Sequence, residues 1–453
     1  MQNNQGSINK LFEEHPYFAT KFEPQFSSED LEKIGVSVPG MESLPNGYIK
    51  LYPEDFIVEE VTPQKKICTI EETPSWEISD NPQARFIHAT IVKKGIATLE
   101  ALMELARNLG IYHNRIIRGG LKDAVAITSQ RVSFEGVEKE KLEGLRVGTI
   151  FLKDVSYERY PMHIGNLYGN RFTIMVRSQE SIEEKDFTER LKKLETEGFP
   201  NFYSTQRFGR RLGAHVIGKK ILQGDFEGAL KEFLANTSPY EMPYISMIRV
   251  QVQDNWRDWA KIYTLYQKLP MYFVHELRFL KSLREEPNDF VYSLRRNSDL
   301  TKLYYDAYVS YVFNKTLTNL INKGERLPKV FPFFGDSKEA LEVYGPVLKS
   351  EGIDQTKLRV TEMPFIQLRR GTVPVVIFPE KVKYKVLTEG VVLSFVLPKG
   401  AYATTFLSML FNLREGDPIP IWVKEDQRNL KEEIGELEKE LSETKNQDVA
   451  EDA

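Results

Sequence analysis

Near residue 212 the chain changes its pattern, and near residue 381 it changes back. Before the first switch, Tyr48–Val61, Phe86–Val92, Val132–Phe134, Thr149–Leu152 and Phe172–Val176 read as strands, rich in β-branched and aromatic residues. Pro53, near the middle of the first, makes an edge or a bend there. From about Leu212 to about Phe378 helical patterns dominate, as in Tyr266–Leu283 and Tyr304–Leu320, and from Lys381 to Leu397 the strand pattern returns. A strand region that is interrupted by helices and then resumed predicts one discontinuous domain carrying an insertion. The expected divisions are a polar extension (1–45), the first part of a core (46–212), an inserted domain (213–378), the returning part of the core (379–423) and an acidic tail (424–453). Within the core, Thr98 is expected to N-cap a helix with Leu99, Leu102, Leu105, Ala106 and Leu109 on its apolar stripe and Gly110 at its end.

Composition removes several classes of function. Cys68 is the sole cysteine, so no internal disulfide forms and a cysteine zinc site is excluded. The six histidines are scattered with no i, i+4 pair, and no metal is expected. The longest apolar runs, Val373–Phe378 and Val391–Leu397, are far too short to span a membrane, and residues 1–30 hold no signal-like apolar stretch. A soluble protein of a reducing compartment, the cytoplasm, is expected. The net charge of −4 hides an asymmetry: the last thirty residues carry −6, which leaves +2 on residues 1–423. Bases cluster at Arg207, Arg210, Arg211, Lys219 and Lys220, and again at Lys381, Lys383 and Lys385, which alternate with Val382, Tyr384 and Val386. Such clusters suit a polyanion but are also common on solvated faces. In the tail, Leu430, Ile434, Leu437 and Leu441 step by four, three and four, the spacing of an amphipathic helix.

Several segments carry chemistry. Gly213–Lys219 mimics a phosphate-binding loop, but position 220 is Lys where the metal-binding hydroxyl belongs, so a nucleotide site is not expected. Gly120-Leu-Lys122-Asp123-Ala-Val-Ala126-Ile-Thr128-Ser-Gln130 is a turn feeding a strand, and an ionised Asp123 can serve there as nucleophile or base. Asn201-Phe202-Tyr203-Ser204-Thr205-Gln206-Arg207-Phe208-Gly209 mixes aromatic rings with amide and guanidinium groups, a combination that stacks on a base and reads its edge. Each also reads as ordinary turn or core. His163–Phe172 and Leu397–Thr404 are dense in Gly, Asn and Pro and mark turns beside strands.

Taken together, the segments resemble the TruD-type pseudouridine synthase family. The G-x-K-D-x-x-A-x-T-x-Q pattern is complete at Gly120, Lys122, Asp123, Ala126, Thr128 and Gln130. The N-[YF]-[FY]-G-x-Q-R-F-G pattern matches at Asn201, Phe202, Tyr203, Gln206, Arg207, Phe208 and Gly209, with Ser204 in place of the usual glycine. Asp55–Glu59, His163–Phe172 and Leu397–Thr404 resemble three further family elements, and the likeness runs over about residues 48–415.

The resemblance implies an α+β fold: a pseudouridine-synthase core around a largely antiparallel sheet, interrupted by an inserted α/β domain. It implies an isomerase that converts uridine to pseudouridine in RNA, with transfer RNA position 13 the expected target, and that needs no cofactor and no metal. A monomer bound to tRNA, away from membranes, is expected. By the resemblance Asp123 is the catalytic carboxylate. Phe56, Lys122, Asn201, Tyr203 and Arg207 are expected around the flipped base, with Arg210, Arg211, Lys219 and Lys220 on RNA phosphates. The cation that partners Asp123 is left open between Arg207 and another base, since Lys122, its neighbour in an extended segment, points the other way. The competing class is a non-catalytic RNA-binding or RNA-folding protein of the same fold.

Overall fold

The structure is a computed structural model that describes residues 28–40, 43–77, 85–270, 272–415, 419–423 and 428–435. It divides into two compact units, one of Ser43–Phe199 with Ile377–Ala453, the other of Met1–Glu42 with Pro200–Val376. The chain therefore leaves the first unit and returns to it, and the crossings fall at 199/200 and 376/377.

The first unit is built on a sheet of eleven strands: β1 (Asn46–Ile49), β2 (Phe56–Val61), β3 (Phe86–Lys94), β4 (Ile116–Arg118), β5 (Ile127–Phe134), β6 (Arg146–Val147), β7 (Ile150–Glu158), β8 (Gly169–Arg177), β9 (Glu380–Leu387), β10 (Gly390–Pro398) and β11 (Asn412–Glu415). The order along it is β9-β10-β8-β2-β5-β3-β7-β6, with β4 on β5 and β1 on β8 and β11. Only β2–β5 and β1–β11 run parallel; every other pair is antiparallel. β2 is buried on both sides, so its alternation sorts its side chains between two clusters. Phe56 and Val58 join Phe172, Ile174, Leu393 and Phe395, closed by Phe187 and Leu191 of the helix Glu184–Glu197. Ile57 goes the other way, to Met175 and Val392. A third cluster lies between β3 and the helix Thr98–Leu109, whose Ala101, Leu102 and Leu105 are buried. Gly110 ends that helix in the left-handed region, as its position suggests, but Thr98 makes no cap to it. Its hydroxyl instead accepts from Lys122 N at 2.9 Å and so holds the loop that carries Asp123.

Among the described residues the second unit is mostly helical, with a two-stranded pair, Val330–Pro332 with Thr372–Pro374. Its axis is the 25-residue helix Ser298–Asn322. The helix Ala214–Leu222 crosses it at Gly218, where a Cβ would fall 2.1 Å from the Tyr304 carbonyl oxygen. The phosphate-loop mimic is thus a close helix crossing, and its Lys219 pairs with Glu351 at 2.8 Å.

Three sequence expectations change. The helical unit begins at Pro200 and ends at Val376, not at 213 and 378. The extension is more than a polar leader: Asn314 Nδ2 donates to Ile34 O at 3.0 Å and Thr318 Oγ1 to Gly35 O at 2.8 Å, with Ile34 and Val36 buried on the same unit. Gly35 has φ 81 and lies against the backbone of Tyr311 and Lys315, which leaves no room for a side chain. The expected Tyr266–Leu283 helix is two helices, Trp259–Tyr266 and Val274–Glu285, with Pro270 between them. In the tail, residues 430–435 are helical, and Leu430 and Ile434 are buried against Ile57, Met175 and Val392. Leu437 and Leu441 lie outside the described residues. No described helix is long and apolar enough to cross a membrane.

Candidate active site

β4 ends at Arg118, and the chain turns through Gly119 and Gly120 before β5 begins at Ile127. The turn is fixed from several sides. Gln130 Nε2 donates to Gly120 O at 3.0 Å, and Lys93 Nζ donates to Asp123 O at 2.6 Å and to Ile96 O at 2.7 Å. The motif glutamine and the buried lysine thus serve the loop backbone, and the Asp123 side chain projects from it with about a third of its surface exposed. Leu121 and Val125, on either side, are 64% and 47% exposed, apolar surface that a docked base would cover.

The cation beside Asp123 is Lys50, which sequence reasoning missed. Its Nζ lies 3.0 Å from Asp123 Oδ1 and 2.6 Å from Glu415 Oε1. Burial disfavours the ammonium, but the Glu415 and Asp123 carboxylates outweigh it and hold Lys50 well above the usual lysine range. Lys50 takes φ 57, a left-handed conformation that is rare for a side chain of this size, as it turns out of β1. The one signal in the sequence is a lone lysine between Ile49 and Leu51, at the end of an apolar strand. Burial likewise brings the Lys93 ammonium down to about 8, opposed by Asp123 and reinforced by Lys122.

Phe56 and Lys122 have side chains that are largely buried. Phe56 is 2% exposed, packed edge-on to Phe172, with Lys50 Nζ 4.7 Å from its ring centre. Lys122 turns away from Asp123, as alternation requires, and its ammonium lies 3.4 Å from Glu60 and donates to Asn170. Asp55 is held by two nitrogens of Arg177, and Glu59 by Arg171, Lys431 and the Ile70 N–H, so these two carboxylates are structural. The His163–Phe172 and Leu397–Thr404 elements meet as β8 and β10, with Gly169 opposite Pro398.

The second motif lies in the helical unit. Asn201 is buried and donates to Pro374 O at 2.9 Å. Tyr203 is held by its backbone on Asn314, its ring edge-on to Phe313 and 5.5 Å from the Arg207 guanidinium. Tyr203 and Arg207 line a cleft with Phe333, Phe334 and Arg369, so an aromatic ring and a planar cation are presented together. The basic cluster does not survive as a set. Arg211 donates to Phe233 O and Asn236 O, both at 2.9 Å, with its guanidinium inside the unit beside Glu241. Lys219 is paired with Glu351, and Lys220 lies 3.6 Å from Asp225. Arg210 is exposed, beside Tyr272. Among the described residues no cluster of His, Cys, Asp and Glu is arranged to hold a metal ion.

The family model described as tRNA pseudouridine synthase D (TruD) matches residues 39–336 and 334–410. A probable tRNA pseudouridine synthase D 1 of Methanocaldococcus jannaschii is 30% identical over 384 residues, covering 81% of this chain and 95% of that protein. A probable tRNA pseudouridine synthase D of Archaeoglobus fulgidus is 33% identical over 298 residues, covering 64% of this chain and 67% of that one. In fold, the crystal structure of a candidate tRNA pseudouridine synthase D (TruD) from Methanosarcina mazei matches with a TM-score of 0.66 at 24% identity, over 84% of this chain and 97% of that one. A mostly antiparallel sheet within an α+β chain, matched in this way, defines an isomerase of the pseudouridine synthase class. The chain belongs to the tRNA pseudouridine synthase D (TruD) family.

Proposed function

We propose that Asp123 is the catalytic carboxylate with which this tRNA pseudouridine synthase isomerises a uridine, at position 13 of the transfer RNA. The observation that carries the assignment is the Asp123 carboxylate, partly exposed on a loop braced from several sides and 3.0 Å from the buried Lys50 ammonium. The reaction breaks the N1–C1′ bond, turns the uracil and rejoins it through C5. A cation at that distance balances the charge of the carboxylate and fixes its place on the loop. The target base leaves its stack to reach it, and Leu121 and Val125 give it apolar surface to rest on. In the helical unit, Tyr203 and Arg207 present a ring and a planar cation for RNA to meet. The reaction moves no electrons to an acceptor and uses only the groups of this chain and its RNA.

Asp123→Asn keeps the volume and the hydrogen bonding but removes the charge. Single-turnover pseudouridine formation on an unmodified tRNA transcript is expected to fall below detection, while RNA binding and folding survive. A tenth of the wild-type rate in this variant would move the chemistry to another residue. Mapping pseudouridine in total RNA with and without the protein checks the position.

A further inference from the structure

A cavity of about 500 Å³ opens in the sheet unit beside the Gly119–Asp123 loop, and Asp123 is not among its lining residues. Glu60, on β2, lines it. The residue is fully buried; its Oε1 accepts from Arg131 N at 3.1 Å, and its Oε2 has no hydrogen-bond partner. That oxygen is instead ion-paired with Lys122 Nζ at 3.4 Å. A carboxylate oxygen held by one long ion pair keeps a lone pair with which to accept from a ligand.

One wall is the half-buried indole of Trp76. The Arg131 guanidinium lies 5.5 Å from its centre and Lys66 Nζ 5.6 Å. Arg131 does not wander, since it donates to Asp154 O at 2.7 Å and Ser156 Oγ at 2.9 Å. The other wall carries Tyr160, 67% exposed, whose carbonyl accepts from His88 Nε2 at 2.8 Å. Burial and Arg131 keep His88 neutral down to about 4, so this tie persists across the physiological range. Lys66 and Arg159 stand exposed at the mouth. The cavity reaches the catalytic loop directly: Gly165 N donates to Gly119 O at 2.7 Å, and a side chain at Gly119 would approach Met162 and Glu60.

Aromatic walls, a buried carboxyl at the floor and cations at the mouth are the parts that hold one nucleotide of a single strand: ring for base, carboxyl for base edge, cations for phosphate. The volume lies in the range of small-ligand sites. We propose that this cavity is a second nucleotide subsite, which takes a base of the same RNA strand near the target uridine. The proposal rests on the reading of this chain as an RNA-modifying enzyme, but not on the identity of the catalytic residue.

The test is equilibrium binding, so that an inactive enzyme still reports. Wild type and Trp76→Ala are titrated with an unmodified tRNA transcript and with a panel in which one nucleotide at a time around the target is abasic. Trp76→Ala is expected to weaken binding of the intact transcript about tenfold, the scale of one lost base stack. One abasic transcript is expected to bind both proteins equally, which identifies the nucleotide. The same loss on every transcript, or no loss on any, overturns the subsite. Glu60→Gln, with thermal melting to confirm its fold, is the second variant. It changes the ranking of the four bases at the identified position; an unchanged ranking removes Glu60 from the recognition. If wild type makes no pseudouridine while Trp76 and one nucleotide remain coupled, the catalytic reading fails and the subsite stands.

Discussion

Lys50 carries two carboxylates on one ammonium and does so from a left-handed backbone position. Such a conformation costs about 1–3 kcal/mol and persists where the surroundings impose it, most often at functional sites. Its removal has a signed consequence. In Lys50→Met the Asp123 and Glu415 carboxylates lose the ammonium that they share. The single-turnover rate at pH 7 is expected to fall at least tenfold while tRNA binding is kept. An unchanged rate would reduce Lys50 to a structural role. Lys93 sets the alkaline limb. Its ammonium donates to Asp123 O and loses its proton near pH 8; the neutral amine keeps its donors but not its charge, so this tie weakens as pH rises through that value. The rate is expected to decline above about pH 8, and Lys93→Arg, which stays charged, to remove that decline. An identical alkaline limb in both proteins would show that another group titrates.

At the scale of elements, the tail and β2 are tied together. Leu430 and Ile434 cover Ile57, Met175 and Val392, and Lys431 reaches Glu59 at 2.8 Å. Truncation after Val423 uncovers these groups and removes one of the two cations on a fully buried carboxylate. The melting temperature is expected to fall by roughly 5–10 °C, the scale of losing two buried aliphatic side chains from a unit of this size, with turnover well below that temperature within a few-fold. An unchanged melting temperature would detach the tail from the sheet. Glu59→Gln is expected to cost stability by about 3 kcal/mol, because Arg171 then lacks its counter-charge and Lys431 keeps only Glu71. Elements of this kind show how far the sequence could be read. The Gly120–Gln130 pattern gave the loop and its aspartate, because local turn chemistry and strand alternation are written in adjacent residues. Lys50 was not legible, since nothing near Asn46–Leu51 says that a residue seventy positions on will sit above it. The burial of Phe56 and Lys122 was not legible for a related reason. Alternation tells that neighbours on a strand face opposite ways, but not which way is the site.

On the scale of the whole molecule, the basic cluster read from the sequence reduces to Arg210 as its exposed member outside the internal ion pairs. Arg210→Glu is expected to weaken tRNA binding by a few-fold and to lower the slope of log affinity against log salt by about one. Arg211→Glu is expected to unfold the helical unit instead, by burying a charge against Glu241. Equal effects of the two on affinity, with no change in melting, would restore Arg211 to the RNA surface. The two crossings of the chain carry a further consequence, for the order in which the protein is made. β8 pairs with β2 on one side and β10 on the other, but β10 begins at Gly390, after the whole helical unit. At typical ribosome speeds, the stretch from Arg177 to Gly390 takes about 10–40 s to emerge. Through that interval a strand bearing Phe172, Ile174 and Val176 waits with an open edge, which invites pairing with another chain. A nascent chain halted before Ile377 is therefore a candidate for aggregation and chaperone capture, and the protein's yield in a cell depends on how quickly its last eighty or so residues arrive.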